Sequence, residues 1–105
     1  MKQLKTPTGR KIKPRQEVEW FARRMEQTLK KNDWKGGWEQ CDLEWLLKRC
    51  GDELGELKRN LEKFKVRKTA SPKELERLID EATDVENFAM MIADNSRKIL
   101  MTEIQ

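Results

Sequence analysis

The chain has 105 residues, of which 40% are charged, with a formal net charge of +4 and no histidine. A chain of this length forms one domain with one modest core, and without histidine it cannot carry Ser-His-Asp or Cys-His catalysis or most zinc sites. Its longest apolar run, FAMMIA at residues 88–93, is too short to cross a bilayer, and neither a GxGxxG motif nor a P-loop motif occurs.

The N-terminal segment is basic, with six lysine or arginine residues and no acidic residue in its first fifteen positions. Pro7, Gly9 and Pro14 oppose a helix there. We therefore predict a flexible arm over residues 1–13, followed by a helical domain over residues 14–105. A solvated tail and an arm that contacts polyanions both fit this composition. No apolar stretch follows the charges as it would in a signal peptide, so we expect a cytoplasmic protein.

A first helix is predicted over about residues 15–31, where apolar side chains recur at helical spacing. The loop that follows, residues 32–41, contains a Lys-Gly-Gly turn between two tryptophans. Trp34 and Trp38 either close the end of the core or form a lid that stacks on a planar base. In the second case Lys35 would lie close to phosphate.

A second helix is predicted over about residues 43–64, with Asp42 in the N-cap position. Leucines at helical spacing give this helix an apolar stripe. Glu53 and Glu56 lie three residues apart at the edge of that stripe, so both carboxylates can point along an interface between helices.

The segment of residues 63–72 is predicted to be a basic loop before a third helix that ends near Arg97. Ser71 is the expected cap of this helix, with Pro72 at its first position and Glu74 three residues after the cap. No segment alternates with the period of two that marks a strand. The predicted fold class is therefore all-α, an antiparallel helical bundle.

The third helix carries a second acidic pair, Glu81 and Asp84, again beside an apolar stripe. Consecutive helices usually pack as antiparallel neighbours, which would bring this pair opposite Glu53 and Glu56. Four carboxylates from two helices can form a cage of hard oxygen ligands that holds Mg²⁺ against phosphate groups. The alternative is salt bridging to basic residues, for which Arg49 is the local candidate.

At these residues the chain resembles the MazG-like, all-α nucleotide pyrophosphohydrolases, whose pattern is EExxE on one helix and ExxD on the next. Here the pattern reads DELGE from Asp52 to Glu56, then a spacer of 24 residues, then EATD from Glu81 to Asp84. The flanking PRQEVEWFA, KGGW, WLLKR and DVENFAMMIADN also resemble phage and bacterial members, so the resemblance spans about residues 14–96. Asp52 departs from the family's first glutamate and is left outside the expected metal ligands.

The resemblance implies Mg²⁺-dependent hydrolysis of a ribo- or deoxyribonucleoside triphosphate to the monophosphate and pyrophosphate. Carried over residue by residue, it makes Glu53, Glu56, Glu81 and Asp84 the metal ligands. Glu53 and Glu56 are also the predicted catalytic residues, because a carboxylate that is not fully engaged with the metal can accept the proton of the attacking water.

Substrate contacts are predicted from the loop and from the second and third helices. An aromatic ring can stack on a base, and lysine or arginine can hold phosphate. The predicted contacts are Trp34 or Trp38 on the base, Asn95 on the base or its sugar, and Lys35, Lys48, Arg49 or the basic loop on the outer phosphates.

The third helix is apolar over much of its circumference, because Met90 and Met91 lie on either side of its core stripe. A helix of this kind is normally surrounded by protein, so we predict a bundle completed by homo-oligomerisation, as a homodimer or homotetramer. Two other functions stay open. One is a non-catalytic basic helical module that binds nucleic acid or a protein partner, and the other is an inactive relative that keeps the fold.

Overall fold

The computed structural model of the chain describes residues 4–5 and 11–104. Helices account for about four fifths of the described chain, which confirms the all-α class. The elements are β1 (Leu4–Lys5), β2 (Lys11–Ile12), α1 (Gln16–Lys31), a short 3-10 turn (Asp33–Lys35), α2 (Leu43–Arg67) and α3 (Pro72–Ile104). Within these residues, none of the helices combines the length and the apolar character needed to cross a membrane.

The two short strands pair antiparallel, with Leu4 opposite Ile12 and Lys5 opposite Lys11. The prediction that the chain contains no strand was wrong here, because strands of two residues are too short to show an alternating pattern. The other residues of the predicted arm, apart from Lys13, lie outside the described part of the chain.

Both long helices run further than predicted. α2 continues through Arg67 into the expected basic loop, and it ends where Lys68 adopts a left-handed conformation with φ of 62°. The connection between α2 and α3 is therefore short, residues 68–71. α3 continues past Arg97 to Ile104, because no glycine or proline interrupts its interior.

The start of α3 is a capping box, as its sequence predicts. The Ser71 backbone nitrogen donates to the Glu74 carboxylate at 3.1 Å, and the Glu74 backbone nitrogen donates to the Ser71 hydroxyl at 3.2 Å. Arg67 at the end of α2 pairs with the same carboxylate. Asp42 occupies the N-cap position of α2 with an extended backbone, but its side chain makes no capping hydrogen bond.

α3 lies at the centre of the fold, with α2 antiparallel along one side and α1 on another. On the α2 side, the thiol of Cys50 contacts the Val85 carbonyl at 3.6 Å. On the α1 side, the side-chain amide of Asn87 donates to the Met25 carbonyl at 3.2 Å. α1 and α2 do not pack on each other in the described part of the chain. Each of them therefore covers α3 separately.

The interior of this three-helix arrangement is small and largely polar. Leu46 is the one apolar side chain among residues 11–103 that is fully buried. The other buried side chains are Glu81, Thr83, Asn87 and Asn95. Globular domains normally bury most of their large aliphatic side chains, so a single copy of this chain leaves much of its apolar surface in water.

The outer face of α2 carries exposed leucines, Leu47, Leu54 and Leu61, which we name the leucine stripe. These residues are 65%, 53% and 51% exposed. Because they recur every seven residues, they lie along one side of the helix, where each stays at least half exposed. The stripe is thus an apolar surface that the chain itself does not cover.

Candidate functional site

The fold brings both acidic pairs to one groove between α2 and α3, which we name the acidic groove. Glu56 from α2 and Glu81 from α3 line one cavity of this groove. Glu53 and Asp84 lie beside it, and the charges of Glu53 and Glu56 act on the carboxyl of Asp84. Burial is the largest cause that raises the pKa of Asp84 from its ordinary 3.8 to about 6, and repulsion from Glu53, Asp80, Glu56 and Glu81 adds to it. Coulombic repulsion weakens with distance, so these acids share one region of the interface between α2 and α3.

Arg49 occupies the edge of the acidic groove. Its guanidinium lies 3.2 Å from the Glu53 carboxylate and 3.1 Å from that of Asp52, and it stacks 5.3 Å from the centre of the Phe88 ring. The salt-bridge alternative considered from the sequence is therefore present at Glu53. It does not extend to Asp84, which forms no ion pair within residues 11–103.

Glu81 is the most buried of the four acids, at 7% exposed. One of its oxygens accepts a hydrogen bond from the side-chain amide of Asn60, and the nearest cation, Arg77, lies 4.0 Å away. The other oxygen, Oε2, is buried and has no hydrogen-bond partner. A buried carboxylate oxygen without a partner costs about 1–3 kcal/mol or more, so this atom is available to a hydrogen-bond donor or a cation.

The donor set fits a hard divalent cation, although the ligands are not assembled in advance. Among residues 11–103, no three acidic or thiol side chains converge as a ready-made metal site. Mg²⁺ does not require such a cage, because it usually keeps several waters and binds through one or two carboxylates together with substrate phosphates. The unpartnered Glu81 oxygen and the crowded carboxyl of Asp84 are suited to that mode of binding.

Hydrogen bonds attach the loop that carries the Lys-Gly-Gly turn to α3. The indole nitrogen of Trp38 donates to Asp94 at 3.0 Å, and the Asn95 amide donates to the carbonyls of Trp38 and Cys41 at 3.0 and 3.3 Å. Hydrogen bonds from Lys98, Trp38 and Arg97 hold the pKa of the Asp94 carboxyl well below its usual range. The amide nitrogen of Asn95, expected to contact the base or sugar, is thus engaged with the loop backbone.

The loop forms one wall of an open cavity of about 240 Å³ at one end of the acidic groove. We name this cavity the aromatic slot. Its walls include the side chains of Lys35, Trp38, Trp45, Leu46, Phe88 and Met91. Trp34 does not line it; that residue is 80% exposed, with the Lys35 ammonium 5.4 Å from the centre of its ring.

The opposite end of the acidic groove is basic. A second cavity of about 360 Å³ is lined by Glu56, Asn60, Glu81 and three cations. The cations are Arg59, Lys63 and Arg77, which we name the basic end. The sequence analysis assigned no role to Arg59 or Arg77. Their spacing along the helices places them on the same faces as the acids. Arg59 and Lys63 follow Glu56 by three and seven residues, and Arg77 precedes Glu81 by four.

These features lie in a line along the two antiparallel helices. On α3 the order is Phe88 in the aromatic slot, Asp84 and Glu81 in the acidic groove, and Arg77 at the basic end. Successive members are three or four residues apart, so they share one face of the helix. From Phe88 to Arg77 the axial distance is about 16 Å at 1.5 Å per residue.

Compared with protein-family models, with curated proteins and with solved structures, the chain shows no match in any of the three. The functional interpretation therefore depends on the groove itself. That groove combines an aromatic slot, a set of carboxylates and a cluster of three cations.

Proposed function

We propose that this protein is a Mg²⁺-dependent nucleoside triphosphate pyrophosphohydrolase that releases a nucleoside monophosphate and pyrophosphate. The observation that carries this proposal is the order of the groove: aromatic slot, four carboxylates, basic end, within about 16 Å along α3. An extended nucleoside triphosphate presents its own groups in the same order, as base, metal-binding phosphates and outer charge. The MazG-like pattern of the acids agrees with this function.

Glu53, Glu56, Glu81 and Asp84 are the proposed holders of Mg²⁺, which when bound would neutralise phosphate oxygens and act as a Lewis acid at the α–β linkage. Glu56 is our preferred general base, because it forms no ion pair within residues 11–103. Glu53 is held by Arg49 at 3.2 Å, which orients its carboxylate toward the groove.

Trp38 and Trp45 are the proposed walls of the base site, since both line the aromatic slot. Asn95 acts indirectly in this proposal, because its hydrogen bonds fix the loop that carries Trp38. Arg49 lies between the slot and the acids, over Phe88, which suits contact with the α-phosphate or the sugar. Lys35 lines the slot beside them, whereas Lys48 lines none of the cavities within the described residues.

The proposal includes a homodimer or homotetramer and a cytoplasmic location. A single fully buried apolar side chain, Leu46, is a weak core for a chain of 105 residues, and the leucine stripe offers the missing apolar surface. Antiparallel pairing of two copies about Leu54 would place Leu47 of each copy opposite Leu61 of the other. The free thiols Cys41 and Cys50 suit a reducing compartment.

A second candidate function is a non-catalytic module that binds nucleic acid. The observation that favours it is Trp34, whose ring is 80% exposed beside Lys35. Exposed aromatic rings next to cations are typical of surfaces that stack on single-stranded bases. Salt-sensitive binding to DNA or RNA, with no turnover of nucleotides, would support this candidate over the hydrolase.

The test is Mg²⁺-dependent release of pyrophosphate from a panel of ribo- and deoxyribonucleoside triphosphates. Glu56→Gln and Asp84→Asn should each remove most of the rate while leaving the helical circular dichroism unchanged. Glu62→Gln is the matched control, because Glu62 is an exposed acid of α2 that lines none of the described cavities. Absence of pyrophosphate from every nucleotide, with folded protein and Mg²⁺ present, would contradict the proposal.

A further inference from the structure

We infer that the basic end, formed by Arg59, Lys63 and Arg77, binds the β- and γ-phosphates of the substrate and the pyrophosphate product. This inference rests on the proposed function and adds to it the direction in which the substrate lies. The three cations line one cavity of about 360 Å³ together with Glu56 and Glu81, two of the proposed metal ligands.

The cations of this cavity are available to a ligand. Arg59 and Lys63 form no ion pair within residues 11–103. Arg77 has a single weak pairing, 4.0 Å from Glu81, and its side chain is 74% exposed. Guanidinium groups bind phosphate through paired hydrogen bonds, and an ammonium group supplies a third positive charge. The cavity therefore presents three cations, with weak ion pairing or none, to an anion of high charge.

The acidic wall of the same cavity determines what kind of anion fits. Glu81 is more than nine-tenths buried, lines the cavity, and keeps Oε2 without a hydrogen-bond partner. A carboxylate repels a bare phosphate, so a phosphate that carries a divalent cation on that side should bind more tightly than one without it. The cavity thus suits a magnesium-bound diphosphate group, with carboxylates on one side and guanidinium groups on the other.

The position of the basic end also fixes the direction of the substrate. The aromatic slot lies at the opposite end of the groove, beside Leu46 and Phe88. The base would therefore lie near the N-terminus of α2, and the phosphate chain would run toward its C-terminus. The α–β linkage then falls beside Asp84 and Glu53, between the two cavities. A nucleoside monophosphate would reach the slot without reaching the cations.

The test measures binding of magnesium pyrophosphate, with no nucleotide and no turnover, by isothermal titration calorimetry. Arg59→Gln and Arg77→Gln should each weaken binding about tenfold, the size of one lost charge-assisted contact. Lys65→Gln is the matched control, since Lys65 is an exposed cation of α2 that does not line the cavity. Binding of a nucleoside monophosphate should stay the same in all three variants.

The outcomes separate this inference from the proposed function. If nucleotides are turned over but the pyrophosphate Kd is unchanged in both arginine variants, the basic end does not bind phosphate. The proposed hydrolase function would still hold. Weakened pyrophosphate binding in the arginine variants, with no turnover by the unmodified protein, would support the basic end and contradict the hydrolase. If Lys65→Gln weakens pyrophosphate binding equally, the effect is a general loss of positive charge. That result would contradict a specific site at the basic end.

Discussion

The indole nitrogen of Trp38 donates a hydrogen bond to the Asp94 carboxylate at 3.0 Å, across 56 residues of sequence. This bond holds the Lys-Gly-Gly loop, which lines the aromatic slot, against α3. The same carboxylate also accepts hydrogen bonds from Arg97 and Lys98. A carboxylate that accepts three hydrogen bonds holds its partners firmly in place. The shape of the slot therefore depends on Asp94, a residue that need not touch the substrate.

Asp94→Asn should loosen the loop and raise the KM for the nucleotide about tenfold, because roughly 1.5 kcal/mol of charge-assisted hydrogen bonding is lost. The kcat should change much less, since the carboxylates of the groove are untouched. Steady-state kinetics and tryptophan fluorescence measure the two effects. Glu86→Gln is the control, because Glu86 is an exposed acid of α3 that lines a cavity on the α1 side. An equal rise of KM in both variants would contradict this role of Asp94.

Asp84→Asn should stabilise the protein at neutral pH when no metal is present. The pKa of Asp84 is raised to about 6 in the folded chain from an ordinary 3.8, so the folded state binds more protons than the unfolded state between these values. Stability therefore falls as the pH rises through this window, and the full penalty is present above it. The Tm gain of the variant should be a few degrees at about pH 7.5 and vanish below about pH 4.

The control for that measurement is Asp52→Asn. Asp52 lies on the same stretch of α2 but is exposed and paired with Arg49 at 3.1 Å. Its replacement should not produce a gain that grows with pH. A Tm difference for Asp84→Asn that is the same at every pH would show that the carboxyl is not crowded as the structure indicates.

Magnesium should raise the Tm of the unmodified protein, and the gain should fall as the pH drops below about 6, because protons then compete for Asp84. Glu81→Gln should abolish the gain, since it keeps the shape and removes the charge at the unpartnered oxygen. Glu62→Gln should keep it. Thermal melts with and without Mg²⁺ at several pH values make the comparison. A gain that survives in Glu81→Gln would place the ion elsewhere.

Leu54→Lys should reduce the assembly to a single copy of the chain. Leu54 is 53% exposed in the chain, so a lysine there disturbs little within one copy but introduces charge at the centre of the leucine stripe. Light scattering should give at least twice 12.6 kDa for the unmodified protein and about 12.6 kDa for the variant. Val66→Lys, at a residue that is 83% exposed and outside the stripe, should leave the mass unchanged. A mass of 12.6 kDa for the unmodified protein would contradict the oligomer.

Local patterns carried most of what could be predicted. The capping box of Ser71 and Glu74 and the two acidic pairs depend on residues three apart, which a helix places side by side. The end of α2 could not be read in this way, because a lysine, Lys68, takes the left-handed position that glycine usually occupies. The last residues of α3 were not assigned to the predicted helix, although no helix breaker separates them from it.

Long-range partners could not be predicted from one sequence. Asn95 was read as a substrate contact because it shares a helix face with the acids, yet its amide meets a loop 57 residues away. Arg59 and Arg77 were not predicted as site residues. Each lies three or four residues from an acid of the groove, but such spacing is common in a highly charged chain. Only the pairing of α2 with α3 brings them into one cavity.

The polar interior has a consequence for how the amount of protein in a cell would set its activity. With Leu46 as the one fully buried apolar side chain of the described chain, an isolated copy has little to hold it folded. Its stability would then depend on association and so on concentration. Dilution would separate the copies of the chain and also unfold them. Activity would therefore fall more steeply than the protein concentration. A modest change in expression could in this way act as a switch.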